Sequence, residues 1–415
     1  MMKFMLFIAC LSTFGAYSQN LWLLGDQSIT RSPRALLHVE GGGAYRSNVF
    51  NNQMIDRIGF GGKLDEENIR NLEDDLREMN RIGGDAYAQF RLFTLDDSLF
   101  NKPNLGLLIQ GGYRRNAWSY FSRDAYRLGF IGNEMFRGAH ADLDGNEYES
   151  ITYQKLGVGF FDKQTKSYIS GNFVIGQQFS DIQLQEADLF TSTLGDSLHV
   201  NYQGSWYRSD TAYSGLGIGN GVGFSLDGAW NVPLSDKKGF LTLEISDFGM
   251  IFWGEETLKS ETDTSFAFIG WEVQDILDDV DNIGFLSLED TLGYSTNRNR
   301  HQSWLPTTVD VSLKRRNTPK DFFEVGVRIR PNQIGFIPEL YGSYGYFTNP
   351  STLLSVNFRY GGYGRLRFGA SLEKWMGKTW YLGIATDDIP GFILNRLKGR
   401  GLQIQIGKTI GKRQI

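Results

Sequence analysis

The chain has 415 residues, a formal net charge of -5, and 50 Gly, 30 Phe, 19 Tyr and 9 Trp residues but 9 Pro. So mild a charge gives no electrostatic basis for nucleic-acid binding, and we expect no nucleic-acid partner. The glycine and aromatic content favours long antiparallel strands with aromatic surfaces.

The first 18 residues have the pattern of a secretory signal peptide. Lys3 precedes an apolar run at 4–11, and small or polar residues end at Ser18. This order predicts cleavage after Ser18 and a single mature domain at 19–415. Cys10 is the only cysteine, so the mature chain is expected to have neither a disulfide nor a thiolate metal site.

Segments of about ten residues with period-two alternation recur along the rest of the chain, separated by Gly, Asn, Asp or Pro. They predict about 14 strands, within a range of 12 to 16, at 35–45, 85–95, 104–115, 152–161, 168–177, 217–231, 239–252, 307–316, 322–330, 336–347, 353–360, 365–375, 379–386 and 402–409. Less regular segments at 198–207 and 264–272 are either further strands or extended loops.

One segment has helical instead of strand spacing. Residues 64–81 place Ile69, Leu72, Leu76 and Met79 three or four residues apart, with acids and arginines around them. This pattern predicts a short amphipathic helix inserted between the first two strands. We expect it to brace or seal one mouth of the fold, or to act as a plug or as a docking site for a partner.

The hairpin at 354–375 raises the question of whether water or lipid contacts each of its faces. Its apolar set is Leu354, Val356, Phe358, Leu366, Phe368 and Leu372, whereas Arg359, Arg365, Arg367 and Glu373 have the polar parity. The pattern suits either a soluble sheet or a membrane barrel with lipid against the apolar set. In a barrel, the four charged residues would line the lumen, because arginine on the lipid face near mid-membrane costs about 2–4 kcal/mol.

Strand length favours the barrel. Strands of soluble proteins most often have about five or six residues, whereas a tilted membrane strand needs about nine to eleven. Short joints also alternate with long insertions, as in outer-membrane barrels. The sequence therefore predicts an all-β fold, a closed antiparallel transmembrane β-barrel. A soluble exported β-protein is the remaining alternative.

Several passages resemble a Bacteroidota family of outer-membrane β-barrels of unknown function. They are GNEMFRG at 132–138 with YQKLGVG at 153–159, DFGMIFW at 247–253, LPTTV at 305–309 and ATDDIPG at 385–391. That family is similar to fatty-acid-transporter-like barrels and to accessory barrels of the type IX secretion and gliding apparatus. The resemblance implies a barrel in the outer membrane of a Gram-negative bacterium.

No pattern of enzyme chemistry is visible. The four histidines, His38, His140, His199 and His301, are scattered singly, and no G-x-S-x-G elbow occurs. We therefore expect no catalytic residue, no metal and no cofactor. An alternation of oxygen ligands at Asp142, Asp144 and Asn146 lacks the remaining positions of a calcium loop, which predicts a polar turn.

Two functions remain open from the sequence. By analogy of fold, the leading hypothesis is a passive conduit or binding barrel for small hydrophobic or amphipathic molecules, with Arg359, Arg365, Arg367 and Glu373 as lining. Those residues could equally fill a packed interior. The alternative is an accessory or scaffolding barrel that contacts secretion-machine proteins through its loops and helix. Outer-membrane lipid is the expected partner in both cases.

Overall fold

The computed structural model describes residues 33–95, 99–209, 219–236, 238–268, 295–377 and 379–411. The predicted signal peptide at 1–18 lies outside the described residues, so its cleavage stays a prediction. No helix in these ranges is long and apolar enough to cross a membrane.

Nineteen strands form one sheet within the described residues. They are β1 Ala35–Ser47, β2 Met79–Thr94, β3 Leu105–Ser122, β4 Ala139–Asp142, β5 Glu147–Asp162, β6 Tyr168–Thr191, β7 Leu198–Arg208, β8 Gly221–Pro233, β9 Gly239–Trp253, β10 Leu258–Phe268, β11 Ser295–Arg298, β12 His301–Trp304, β13 Thr308–Thr318, β14 Asp321–Ile329, β15 Ile337–Asn349, β16 Thr352–Gly362, β17 Arg367–Met376, β18 Trp380–Thr386 and β19 Gly399–Ile410.

Fourteen of these strands close into a ring by antiparallel pairing. The order around the ring is β1, β2, β3, β5, β6, β8, β9, β13, β14, β15, β16, β17, β18 and β19, and β19 pairs back with β1. Each of the fourteen overlaps one predicted strand, so the closed antiparallel barrel is confirmed. Of the two less regular segments, 198–207 belongs to β7 and 264–268 to β10, both outside the ring, and 269–272 lie outside the described residues.

The two faces of the wall have the polarity of a membrane barrel. On the 354–375 hairpin, Val356 is 61% exposed and Phe368 is 54% exposed, whereas Arg359 is 2% exposed and Glu373 is 1% exposed. The same alternation runs along the other strands, with exposed apolar residues such as Phe173, Leu243 and Ile404. The outer face is therefore the apolar one, as in an outer-membrane-type barrel.

The two ends of the barrel differ. At one end, short connections join neighbouring strands, such as 163–167, 319–320 and 350–351. At the other end, the connections hold the helices and strands β4, β7, β10, β11 and β12. Strand β6 has 24 residues, about 80 Å at 3.3 Å per residue, so it continues far beyond the membrane. Short turns face the periplasm and long loops the outside in such barrels.

Four α-helices of the described residues lie among the long-loop connections, α1 Asn52–Phe60, α2 Glu66–Glu73, α3 Arg123–Phe130 and α4 Ile389–Ile393, together with a short 3-10 helix at Glu134–Phe136. The prediction of one helix over 64–81 is corrected in two respects. The helical part is α2, with Ile69 and Leu72, and it ends before Leu76. Met79 is the first residue of β2, and α1 was not predicted.

The reason for this difference lies in packing across the barrel mouth. Leu76 and Ile82 belong to the same buried cluster as Ile69 and Leu72, although Leu76 and Ile82 lie outside α2. Met79 pairs with Ser122 at the far end of β3. Pairing with β3 therefore extends β2 backwards into a segment whose apolar spacing is helical.

Aromatic residues near the strand ends are divided between the faces. Trp304 and Trp380 are exposed on the outer surface, as expected for headgroup-level aromatics. Trp118, Trp253 and Trp375 are instead buried inside the barrel. Strand parity, rather than proximity to a strand end, determines which face each ring occupies.

Candidate functional site

The interior of the barrel is filled with paired charges, and one cluster lies under the 354–375 hairpin. Arg359 Nη1 is 2.7 Å from Glu339 Oε1, and Arg367 Nη2 also binds the Glu339 carboxylate. Arg328 Nη1 lies 3.8 Å from Glu339 Oε1. We call these four residues the Glu339 cluster. Its members come from four consecutive strands, β14 to β17.

Two of the four predicted lumen residues, Arg359 and Arg367, therefore meet on one carboxylate. Glu373 points inward as well but lies elsewhere: its Oε2 accepts a hydrogen bond from Tyr381 Oη at 2.7 Å. The structure places these three side chains inside the barrel. Whether they bind a cargo stays a prediction.

The expectation for Arg365 is corrected. This residue precedes β17 and is exposed, and its Nη2 lies 3.2 Å from Asp75 Oδ1 at the rim. The chain departs from strand geometry at Gly361 and Gly362, whose φ angles are 103° and 66°. Such angles strain any residue with a Cβ. The turn they make buries Tyr363 and displaces Arg365 from the lumen-facing parity.

A second cluster spans the opposite part of the wall. Lys155 Nζ lies 2.7 Å from Asp227 Oδ2 and 2.6 Å from Asp247 Oδ1, and Arg114 Nη1 lies 2.7 Å from Asp247 Oδ2. We call these four residues the Asp247 cluster. All four side chains are largely buried, so each charge depends on its partners.

Asp247 occupies an unusual backbone position. Its φ is 56°, and it lies where the register between β8 and β9 shifts by one residue. Its own N–H donates to Asp227 Oδ1 at 2.7 Å. In the sequence, Asp247 is the first residue of the family-like passage DFGMIFW at 247–253. The bulge turns its side chain inward, a placement that period-two parity alone does not give.

The connection between β14 and β15 crosses the lumen instead of projecting outward. Arg330 Nη2 lies 3.1 Å from Asp85 Oδ2 in β2, and Gln333 Nε2 donates to Asn116 Oδ1 in β3 at 2.6 Å. In the ring, β2 is the second strand and β14 the ninth, so they lie opposite each other. Tyr363 Oη also donates to Gln333 Oε1 at 3.0 Å. Residues 330–336 therefore form an inward-folded plug loop.

The short-turn end is closed by an apolar layer, which we call the floor. One buried residue from each of eleven ring strands contributes to it, and every one is at most 9% exposed. They are Leu36, Phe93, Leu108, Phe161, Tyr168, Ala229, Phe322, Phe347, Leu353, Trp375 and Tyr381. A layer of this kind excludes water as a soluble protein core does.

The long-loop end carries a helical cover, which we call the cap. It consists of residues 48–78 with α1 and α2, and its apolar side packs with Tyr45, Ile82 and Tyr126. Ion pairs fasten it to the rim: Asp56 to Arg400 at 2.7 Å, Glu73 to Arg127 at 2.8 Å, and Asp75 to Arg365 and Lys398.

Asp75 is the most heavily paired acid of the cap. Partial burial raises its pKa, but the hydrogen bond and charge of Lys398, together with Arg365, outweigh this effect. The pKa of Asp75 is consequently held below its ordinary value. The charged form is therefore the one that fastens the cap.

The described residues enclose small cavities between these layers. One of about 30 Å³ is lined by residues including Glu40, Arg91, Arg114 and Glu244, and one of about 10 Å³ by residues including Arg46, Asp85 and Glu339. Arg328 and Arg330 line both. Since a single water needs about 10–15 Å³, these spaces suit a few waters at most.

The described residues contain no group of three or more His, Cys, Asp or Glu side chains placed to hold a metal ion. In the acidic turn after β4, the side-chain oxygens serve the backbone. Asp142 Oδ1 accepts from the Asp144 N–H at 2.9 Å, and Asp144 Oδ1 accepts from the Ala187 N–H at 2.6 Å. These bonds are those of a polar turn.

Comparison with solved structures gives barrels of low similarity. A deletion mutant of the TodX monoaromatic hydrocarbon channel has 8% identity and a TM-score of 0.44, covering 97% of this chain and 96% of its own. The Pseudomonas putida toluene transporter TodX has 6% identity and a TM-score of 0.37, covering 96% and 94%. The NalP autotransporter translocator domain of Neisseria meningitidis has 11% identity and a TM-score of 0.26, covering 95% of each chain.

Likenesses this weak carry no argument about function. No curated protein matches the chain. One family model does match, over residues 43–383, and that span includes the Asp247 cluster, the Glu339 cluster, the plug loop and the cap. The chain therefore belongs to the family described as "Family of unknown function (DUF5723)".

Proposed function

We propose that the protein is a sealed barrel of the Gram-negative outer membrane that acts through its long-loop surface, as an accessory or scaffolding component. The observation that carries this proposal is the series of packed layers that the described residues form in the interior. The floor, the two charge clusters, the plug loop and the cap follow one another along the barrel axis. A permanently open pore would need all these layers to be absent.

The long-loop side has an extended sheet surface that is suited to contact with another protein. Strands β6, β7 and β10 extend the sheet beyond the ring, and β10 pairs with β7 over eleven residues. Strand β7 is paired on both sides, so it presents its side chains in a fixed arrangement. We propose that this sheet contacts proteins of a secretion or gliding machine, without an enzymatic role.

A second candidate function is a gated conduit for small hydrophobic or amphipathic molecules. It is favoured by the construction of the mouth, where the plug loop and the cap are insertions between strands of the ring. Insertions can move without unzipping the wall. In this case the cavities beside Arg328 and Arg330 mark where a path would open.

Reconstitution separates the two candidates. For a sealed scaffold, purified protein in planar bilayers gives no conductance steps, and liposomes containing it do not take up a fluorescent fatty acid. Uptake without conductance would favour the gated conduit, and steady conductance would contradict both. An open porin in the same bilayers is the positive control.

The scaffolding role needs its own measurement. A photo-crosslinker at the exposed residue Gln203 of β7 should link the protein to a secretion-machine component, whereas the same group at exposed Asn349 on the short-turn side should not. A deletion strain that secretes and glides like its parent would count against the role. Cell fractionation with heat-shifted gel mobility checks the outer-membrane location.

A further inference from the structure

The barrel wall has a gap beside its shortest strand. Strand β18 has 7 residues, and its pairing with β17 ends at Ala370 and that with β19 at Gln403. Strand β17 continues to Arg367 and β19 to Gly399, each paired on its other side only. Residues 367–369 of β17 and 399–402 of β19 therefore have no neighbour in β18, and the wall lacks a strand between them.

Helix α4 occupies this gap. A Cβ on Gly369 of β17 would lie 2.1 Å from the Thr386 carbonyl oxygen, and a Cβ on Gly391 of α4 would lie 2.2 Å from the Gly399 carbonyl oxygen. The segment after β18 therefore fits tightly against both neighbouring strands. Two glycines make this approach possible.

The inner side of the segment is polar and paired. Asp387 is fully buried and binds Arg46. Asn52 Nδ2 donates to the Gly391 carbonyl at 2.8 Å, and Arg400 Nε donates to the same oxygen at 2.9 Å. These bonds satisfy backbone groups that the ladder does not reach, as required of non-strand backbone at membrane depth.

The outer side is apolar and uncovered. Ile393 is 72% exposed and Phe392 is 50% exposed, and Ile389 and Leu394 are exposed as well. Helix α4 contacts β17, and Phe368 of that strand belongs to the outer apolar face and is 54% exposed. The surface of α4 is thus continuous with the surface that the barrel presents to lipid.

A positively charged residue, Arg396, follows the apolar surface of α4. Arg396 follows α4 by three residues and is exposed, and its side chain has no ion-pair partner among the residues that the structure describes. An apolar helix face bordered by arginine matches the boundary between acyl chains and anionic headgroups.

We propose that α4 is a lipid-contacting element of the barrel wall, seated in the outer leaflet. Ile389, Phe392, Ile393 and Leu394 contact acyl chains, and Arg396 binds the headgroup of an anionic lipid. The occupant is membrane lipid, and neither a second copy of the chain nor another protein. This role does not depend on whether the barrel is a scaffold or a conduit.

Spin labels test the acyl-chain contact. In a Cys10→Ser background, a nitroxide is attached to Phe392→Cys or Ile393→Cys, and the protein is placed in lipid nanodiscs. Both labels should be more accessible to oxygen than to a water-soluble nickel chelate, like the lipid-facing control Phe368→Cys. The control Leu194→Cys, in an 81% exposed turn, should show the opposite preference.

Two outcomes overturn the acyl-chain contact. Labels on α4 that behave like the one at position 194 place the helix in water. Oxygen preference that appears only as the number of chains per disc rises assigns the face to a second copy.

Brominated lipids test the headgroup contact. A fluorescent dye at Ile393→Cys should be quenched about fivefold more per lipid by brominated phosphatidylglycerol than by brominated phosphatidylcholine. Arg396→Gln should abolish this preference and leave the phosphatidylcholine quenching unchanged. Arg300→Gln, at an exposed arginine paired with Glu255, is the matched control. Equal quenching by both lipids in the unsubstituted protein would overturn the contact with anionic headgroups.

Discussion

Arg359 and Arg367 lie directly opposite each other on β16 and β17, and both bind the carboxylate of Glu339 inside the barrel. Like charges in direct cross-strand register repel, and the carboxylate of Glu339 between the two guanidinium groups offsets this repulsion, with Asp387 Oδ2 3.6 Å from Arg367 Nε as a further acid. Particular carboxylates therefore determine how the charged side chains of the interior are arranged.

Glu339→Gln should destabilise the barrel strongly. The substitution leaves two buried arginines opposed, and removal of one partner from a buried pair costs about 3–5 kcal/mol. The midpoint of thermal unfolding, followed by heat-shifted gel mobility, should fall markedly. Glu134→Gln, at an exposed residue 3.6 Å from Arg137, should leave it unchanged. Equal midpoints for the two variants would contradict the importance of the Glu339 cluster.

Gly369→Ala should disturb the wall beside α4. The new methyl group would lie 2.1 Å from the Thr386 carbonyl oxygen and 2.5 Å from the Asp387 Cα, both of which are backbone atoms. Overpacking of this kind costs about 1–3 kcal/mol. Chemical unfolding in detergent measures it. Gly171→Ala, where nothing lies within 4 Å of the added methyl, is the control, and a similar loss there would refute the close approach.

Val356→Arg should impair membrane insertion. Val356 is 61% exposed on the outer face of β16, and an arginine there would meet acyl chains at a cost of about 2–4 kcal/mol near mid-membrane. Folding yield into liposomes should drop. Leu194→Arg, at a residue beyond the membrane, should fold normally. Normal insertion of the Val356 variant would argue that this face meets water.

The cap should loosen in acid. Because the pKa of Asp75 is lowered in the folded protein, its stabilising effect is complete above its unfolded pKa of about 3.9 and is lost as the pH falls through the folded value. The pair is partly exposed, so we expect only about 0.2–1 kcal/mol. A nitroxide at Arg70→Cys on α2 should become more mobile below about pH 4.

Asp75→Asn provides the comparison for this pH dependence. The variant should show the mobile component at neutral pH and little further change in acid. Glu67→Gln, at an exposed acid of α2, should behave like the parent. Acid-induced mobility of equal size with and without Asp75 would assign the effect to another group.

Most of the wall could be predicted because the alternation of side chains within each strand indicates its apolar side and its polar side. The alternation of Leu354, Val356 and Phe358 with Ser355, Asn357 and Arg359 is local, and so is the length of each run. The errors occurred where a distant partner decides the local structure. Met79 joins β2 because β3 reaches it, and Arg365 leaves the lumen because two glycines turn the chain.

The contents of the lumen could be predicted only as a parity. Gln333 meets Asn116 across 217 residues of sequence, and Arg46 meets Asp387 across 341. Neither pairing leaves a periodic signal, because it arises only when the ring closes and opposite strands face each other. Likewise, the inward turn of Asp247 depends on a register shift that cannot be recognised in the sequence of β8 or of β9.

The sequence by itself determined that about fourteen long strands alternate between an apolar and a polar side, since side-chain direction in a strand repeats every two residues. Only the tertiary structure decided that the polar side is a closed interior. Ring closure brings floor, ion pairs, plug loop and cap onto one axis, and the early end of β18 leaves a gap that α4 fills.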